Sequence, residues 1–259
     1  MSINHVRGRA GGFAQRRFNH RRRAWRLRFW WTFPLVAVLP IAIELPIALF
    51  THAPHRGFWT GLGLGAGLAA ALVLFDSPPA HVERWRSGAD GEKSTARTLR
   101  PLLSRGWTLF NDIPTGHGNI DHVLVGPPGI FMLESKRLAG RARVEASGLV
   151  IRWHEDPDDG YENDSIAGRA RGAAFELHSR IDWPGASPWV QAVVVLWAAF
   201  DQRPVERDKV AWVRGDQLVA VLGERPIRFT GDVLRRLTSQ TGKAVAKLRR
   251  DNQASSPPH

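Results

Sequence analysis

The 259-residue chain carries 36 Lys and Arg against 24 Asp and Glu, a formal net charge of +12, and has no cysteine. Disulfides, thiolate zinc sites and cysteine nucleophiles are therefore excluded. The basic excess is local: residues 1–29 hold nine arginines and no acid, and residues 76–259 sum to only +3. The charge of the C-terminal part thus does not by itself argue for nucleic acid.

In chain order, residues 1–29 read as a basic, disordered arm, rich in Arg and carrying Gly8, Gly11 and Gly12. Residues 30–50 form an apolar run with one charge, Glu44, flanked by Trp30, Trp31 and Phe50 and punctuated by Pro34, Pro40 and Pro46. A helix crossing a hydrocarbon core needs about 20 such residues. Residues 57–75 form a second apolar run without charge, with Gly61, Gly63, Gly65 and Gly67 at small-xxx-small spacing. With only residues 51–56 between the runs, 30–75 is expected to be a two-helix transmembrane hairpin embedded in the lipid bilayer. Positive-inside bias then puts the N-terminus and residues 76–259 in the cytoplasm, in a multi-pass protein of the cell membrane. The arginines of the arm satisfy that rule directly; contacts with anionic lipid or with nucleic acid are the other readings.

Residues 76–89, with Ser77-Pro78-Pro79, are expected as a linker, and 90–250 as one α/β domain. A helix is predicted over 90–104, interrupted at Pro101, then a strand over 107–113. Strands over 119–125 and 129–136 are joined by the Gly-Pro-Pro-Gly turn 126–129. Residues 142–153 suit a further strand or hairpin arm, the acidic stretch 154–164 a loop, and 165–181 a helix. The run Val190 to Trp197 within 189–199 is that of a strand buried on both faces. A short strand over 210–214 and helices over 215–222 and 231–250 complete the domain, and 251–259 reads as a disordered tail.

The stretch 115–140 carries the chemistry. Asp121 lies early in one strand, and Glu134 and Lys136 lie late in the next. A tight turn makes the two strands antiparallel, which brings Asp121 to the end bearing Glu134 and Lys136. Alternation puts Glu134 and Lys136 on one face and Ser135 on the other. Two carboxylates hold a hard divalent cation such as Mg²⁺, or Mn²⁺, which keeps several waters. Such a cation polarises a phosphodiester and acidifies a bound water, and a lysine orients that water or stabilises developing charge. Glu92 offers a third carboxylate from the preceding helix, or serves only as a first-turn acid. His122 points away from Asp121 by alternation and reads as structural. His117, between two glycines, reads as a loop residue.

Gly91-Glu92, Gly118-Asn119-Ile120-Asp121-His122-Val123-Leu124-Val125-Gly126-Pro127, Gly129-Ile130-Phe131-Met132-Leu133-Glu134-Ser135-Lys136 and Gly140 together resemble the nuclease-related domain (NERD) family over roughly residues 88–200. The resemblance implies a restriction-endonuclease-like PD-(D/E)XK fold, a mixed central sheet flanked by helices. It also implies Asp121, Glu134 and Lys136 as core catalytic residues, Glu92 as the helix carboxylate, and Gln191 as an accessory polar residue. Asp121, Glu134 and Glu92 would be the metal ligands, and the partner DNA or RNA. The sequence departs from the family pattern after the core strands. Asp164 to Arg171 lacks the early Pro and Gln of related domains, so either Arg169 contacts phosphate in their place or the site is weakened. Two functions follow: a metal-dependent nuclease acting at the membrane, or a weak or silent module of the same fold that binds nucleic acid or a protein partner there.

Overall fold

The computed structural model describes residues 6–8, 10–50, 56–77, 79–116, 118–146, 148–153 and 160–254. By contact the chain divides into two units, one of residues 1–13 and 87–259 and one of residues 14–86.

The larger unit is built on one mixed sheet. Its strands are β1 (Val6–Arg7), β2 (Thr108–Thr115), β3 (Gly118–Gly126), β4 (Gly129–Glu145), β5 (Gly148–Arg152), β6 (Gly160–Asn163), β7 (Val190–Phe200), β8 (Val205–Arg207) and β9 (Val210–Arg214). The spatial order is β1-β2-β3-β4-β7-β9-β8, with β5 and β6 extending from β4. β2, β3 and β4 form an antiparallel meander, whereas β4, β7 and β9 run parallel. The parallel centre explains the unbroken apolar run of β7, since helices cover both of its faces. On one face Val190, Ala192, Val194 and Leu196 join residues of α6 (Ser165–Arg180) and α8 (Gly231–Ala254). On the other, Val193 and Val195 join Leu99, Leu102 of α5 (Arg100–Leu103) and Leu218 and Leu222 around α7 (Leu218–Gly223). A short 3₁₀ turn, Gly215–Gln217, leads into α7.

Two glycines are required by geometry. A Cβ on Gly126 would lie 2.1 Å from the ring of Trp107, so only glycine lets the β3–β4 turn close over that indole. Gly140 has φ +97° and sits where the β4–β7 register shifts, between Arg137 and Arg141. That bulge frees β4 to continue to Glu145 and pair with β5.

Several expectations change here. The helix expected over 90–104 begins earlier: α4 spans Ala80–Thr98, so the linker expected over 76–89 is helical from Ala80 onward, and Pro101 restarts the chain as α5. The N-terminal arm contributes β1, parallel to β2, and α1 (Gly12–Phe29). The acidic stretch ends in a strand, β6, while 154–159 lie outside the described residues. So do His117 and the tail from 255.

The smaller unit contains most of α1, then α2 (Thr32–Phe50), α3 (Arg56–Asp76) and the start of α4. Its arginines have internal partners: Arg22 and Arg26 reach Asp76 at 2.5 and 2.8 Å, and Arg17 and Arg21 lie over the Trp85 ring. Among the described residues, no helix is long and apolar enough to cross a membrane. That finding overturns the multi-pass placement with a cytoplasmic N-terminus and C-terminal domain. The apolar runs do become helices, but α2 carries Pro40 and Pro46 inside it, and α3 spends much of its length on glycine and alanine between Arg56 and Asp76. The turn expected over 51–56 lies, for 51–55, outside the described residues.

Candidate active site

The β3–β4 pairing fixes where the acids fall. The last paired residues are His122 and Leu133, and the next position along that register sets Asp121 opposite Glu134. Asp121 has the parity of Val123 and Val125, and Glu134 that of Ile130 and Met132, all on the α6–α8 face. The two carboxylates therefore share a face where the strands stop pairing. Lys136, two residues on, shares it too, and its Nζ donates to Glu134 Oε1 at 2.5 Å. Asp121 Oδ2 accepts from the backbone N–H of Ser135 at 2.7 Å.

These groups act on one another by charge. Asp121 is pushed well above the usual carboxylate range, first by burial, then by the charges of Glu134 and Glu92, against Lys136 and the Ser135 N–H. Glu92 comes from α4, in the opposite helical layer, and is raised to about 7 by burial, then by Asp112, with Glu134 adding to it. Its Oε2 is buried without a hydrogen-bond partner among the described residues. Burial lowers the affinity of Lys136 for its proton, but Glu134 and Asp121 together outweigh that and hold the ammonium above its ordinary range. Arg169, on α6, acts on Lys136 from the other side of the cleft.

A cavity of about 690 Å³ opens at this end of the sheet. Glu134 and Asn119 form one wall and the Arg169, Gly172 and Phe175 stretch of α6 the other. Arg169, weighed from the sequence as a phosphate contact, therefore faces the same space as Glu134.

Gln191 is not brought into the group. In the parallel β4–β7 register it lies opposite Phe131, three positions from Val194, the partner of Glu134. That is about 10 Å along the strand. It also faces the other side of the sheet, with the parity of Val193. Its amide donates to Ala192 O at 3.2 Å and Lys209 O at 3.1 Å. His122 behaves as alternation requires: fully buried, its Nδ1 is 2.7 Å from Asn111 Oδ1. Burial depresses it to about 4, with the Glu92 backbone opposing in a geometry short of a normal hydrogen bond.

Sequence reasoning missed Asp112. It sits in β2 between the pairs Asn111–His122 and Ile113–Ile120, which sets it opposite Asp121. Its φ of +58° is a left-handed conformation, and it accepts from Asn119 Nδ2 at 2.9 Å. The signal was Asn-Asp-x-Pro inside a strand, since Asn and Asp tolerate that region better than most.

Among the described residues, no group of three or more His, Asp or Glu side chains is gathered closely enough to hold a metal ion. The site presents two facing carboxylates with a third, Glu92, coupled to them by charge. No curated protein and no solved structure matches the chain. Residues 87–197, under half of the chain, match the family model of the nuclease-related domain, NERD. The segment from α4 to the middle of β7 is thus similar to that family, which points to a nuclease-related function and to nucleic acid as the partner.

Proposed function

We propose that the larger unit is a metal-dependent nuclease of the restriction-endonuclease-like type, with Asp121, Glu134 and Lys136 as its catalytic core. The observation that carries the reading is the pair of like charges, buried Asp121 opposite half-buried Glu134, beside one lysine at a cavity that Glu134 lines. Setting a buried carboxylate opposite a second one is unfavourable unless something offsets their repulsion. Lys136 offsets it in part, from Glu134.

The donor set fits Mg²⁺ or Mn²⁺. Mg²⁺ is bound through one or two carboxylates plus waters and substrate phosphates and needs no cage of protein ligands. Asp121 and Glu134 would hold it, and Glu92, not gathered closely enough to be a third ligand, would add negative charge nearby. When bound, the cation polarises the phosphodiester and acidifies a water. Lys136 then has its ammonium free to orient the attacking water or to meet charge on the phosphate. Arg169 contacts a neighbouring phosphate across the cavity.

The test is a metal titration on the purified full chain, with labelled DNA and RNA and Mg²⁺ or Mn²⁺. Cleavage that rises with metal and is lost in Asp121→Asn is the expected result. The second reading is a silent module that binds nucleic acid or a protein partner. It draws on the Glu134–Lys136 ion pair, which occupies the carboxylate a cation needs. Binding without cleavage under either metal would select it.

A further inference from the structure

We infer that the surface row formed by exposed Phe175, Trp189 and Lys209, with half-buried His178 between the two rings, is a track for single-stranded nucleic acid that leads into the cavity bearing Glu134. The inference rests on the nuclease reading for its direction, but the surface itself stands on separate observations.

Phe175 is 65% exposed and Trp189 51% exposed, which is costly for side chains of this size unless a ligand covers them. They are not scattered. The Phe175 and His178 ring centroids lie 6.5 Å apart, His178 and Trp189 5.9 Å, and Lys209 Nζ lies 5.8 Å from the Trp189 centroid. The rings are tilted by 39° and 50°, so none covers the face of its neighbour. The row is also held in place. His178 Nδ1 is bonded to Pro188 O at 3.0 Å, which fixes the middle ring.

The cation at its end is presented by a tight hairpin turn. Asp208 and Lys209 have φ of +50° and +63°, two consecutive left-handed residues with side chains, in the two-residue link between β8 and β9. Gln191 and Arg171 brace that turn, donating to Lys209 O and Asp208 O. Two left-handed residues in succession form the primed turn that two-residue hairpins favour, and this bracing holds Lys209 in place. It also gives Gln191 a structural task away from the carboxylates.

The row joins two hollows. Phe175 lines the 690 Å³ cavity with Glu134 and Arg169. Trp189 lines a second, of about 580 Å³, with Arg225 and Arg228. Aromatic platforms flanked by Arg169, Lys209 and Arg228 match a polyanion whose bases have bare faces. In a duplex those faces are already stacked, so a track of this kind favours single strands. The same chemistry suits DNA and RNA.

The experiment is fluorescence anisotropy on the full chain in EDTA, where binding is read without cleavage. The probes are labelled oligo-dT and oligo-U of about a dozen nucleotides and a DNA duplex of the same length. Single strands should bind more tightly than duplex, with the dT and U arms ranking DNA against RNA. Phe175→Ala and Trp189→Ala should each weaken single-strand binding by about tenfold. Trp189→Phe should restore most of it, and Trp153→Ala, an exposed aromatic elsewhere, should leave it unchanged. Melting should not move, because both rings are exposed. Equal affinity for duplex, or single-strand binding indifferent to both alanine variants, would overturn the track and leave the row to a protein partner. Loss of cleavage with these binding effects intact would instead remove only the catalytic reading.

Discussion

The two halves of β4 lie in one strand and live in different surroundings. From Ile130 to Leu133 it is flanked by β3 and β7, and every side chain is buried. From Glu134 onward β7 continues beside it but the pairing with β3 has ended, and the α6–α8 face opens into a cavity. The same alternation that sends Ile130 and Met132 into the core therefore sends Glu134 to the cavity wall, with Lys136 bonded beside it. Charge is placed where a neighbouring strand leaves, and a site is made without any change of local structure.

Moving a charge into the closed half should break that contrast most severely. Met132 is fully buried between Val123 on β3 and Ala192 on β7. Met132→Glu buries an unpaired carboxylate and should cost more than about 4 kcal/mol, enough to prevent folding of the larger unit. Glu134→Met, two residues along the same face, should stay within about 1 kcal/mol of the parent. Urea midpoints of the two variants decide it. Similar midpoints would mean that the halves do not differ as described.

Within the open half the expected effect is on turnover. Asp121→Asn and Glu134→Gln should each reduce metal-dependent cleavage on the order of a thousandfold. Their melting temperatures should be unchanged or raised, because the substitutions relieve like-charge repulsion. Lys136→Ala should leave Mn²⁺ affinity, measured by calorimetry, largely intact while removing turnover. A variant that loses activity only in proportion to lost stability would indicate an ordinary ion-pair cluster.

Glu92 sharpens the contrast through pH. It titrates at about 7 in the folded chain against 4.5 for an unperturbed glutamate. Its stabilising protonation is therefore fully present below pH 4.5 and lost as pH rises through 7. Asp121 shifts in the same direction. His122 runs the opposite way: its folded value of about 4 is below the ordinary 6.5, so its contribution is present above 6.5 and lost as pH falls through 4. The difference between Glu92→Gln and wild type isolates the first effect. In metal-free buffer the two should melt together near pH 4.5, and the variant should gain by at most about 3 kcal/mol above pH 7. A gain independent of pH would show that Glu92 does not titrate in this range.

Much of this site was legible because it depends on strand arithmetic. The Gly-Pro-Pro-Gly turn and the parity of Asp121, Glu134 and Lys136 are local properties, and the β3–β4 register follows from them. Asp112 was not legible, because its place depends on a left-handed residue inside β2. Gln191 was misplaced because the parallel β4–β7 register is set by tertiary packing and leaves no mark in either strand. β1 and β8, two and three residues long, carry too little pattern to be seen. The apolar runs 30–50 and 57–75 gave helices as expected, but their length and hydropathy do not carry them across a membrane among the described residues.

The smallest expected effect tests how Glu92 reaches the cluster from the far layer. Thr95, one helical turn after Glu92, is fully buried and ties α4 to the sheet. Its Oγ1 donates to Gly91 O at 3.1 Å, receives the Trp197 indole N–H at 2.9 Å, and lies 2.8 Å from Ser135 Oγ. One hydroxyl has one proton and two acceptor positions, so all three bonds are satisfied only if Ser135 donates to it. Ser135 is also the residue between Glu134 and Lys136, and its backbone N–H holds Asp121. Thr95→Val keeps the shape and strands two donors, Ser135 Oγ–H and Trp197 Nε1–H, at a cost of about 1–3 kcal/mol. Because Asp121 and Glu134 are fixed by the strands and not by α4, cleavage should fall only a few-fold, and the Glu92 titration should move more than turnover does. Thr95→Ser, which keeps the hydroxyl, should recover both. If Thr95→Val instead removed turnover as fully as Asp121→Asn, α4 would be organising the carboxylates, and the strand ends alone would not account for the site.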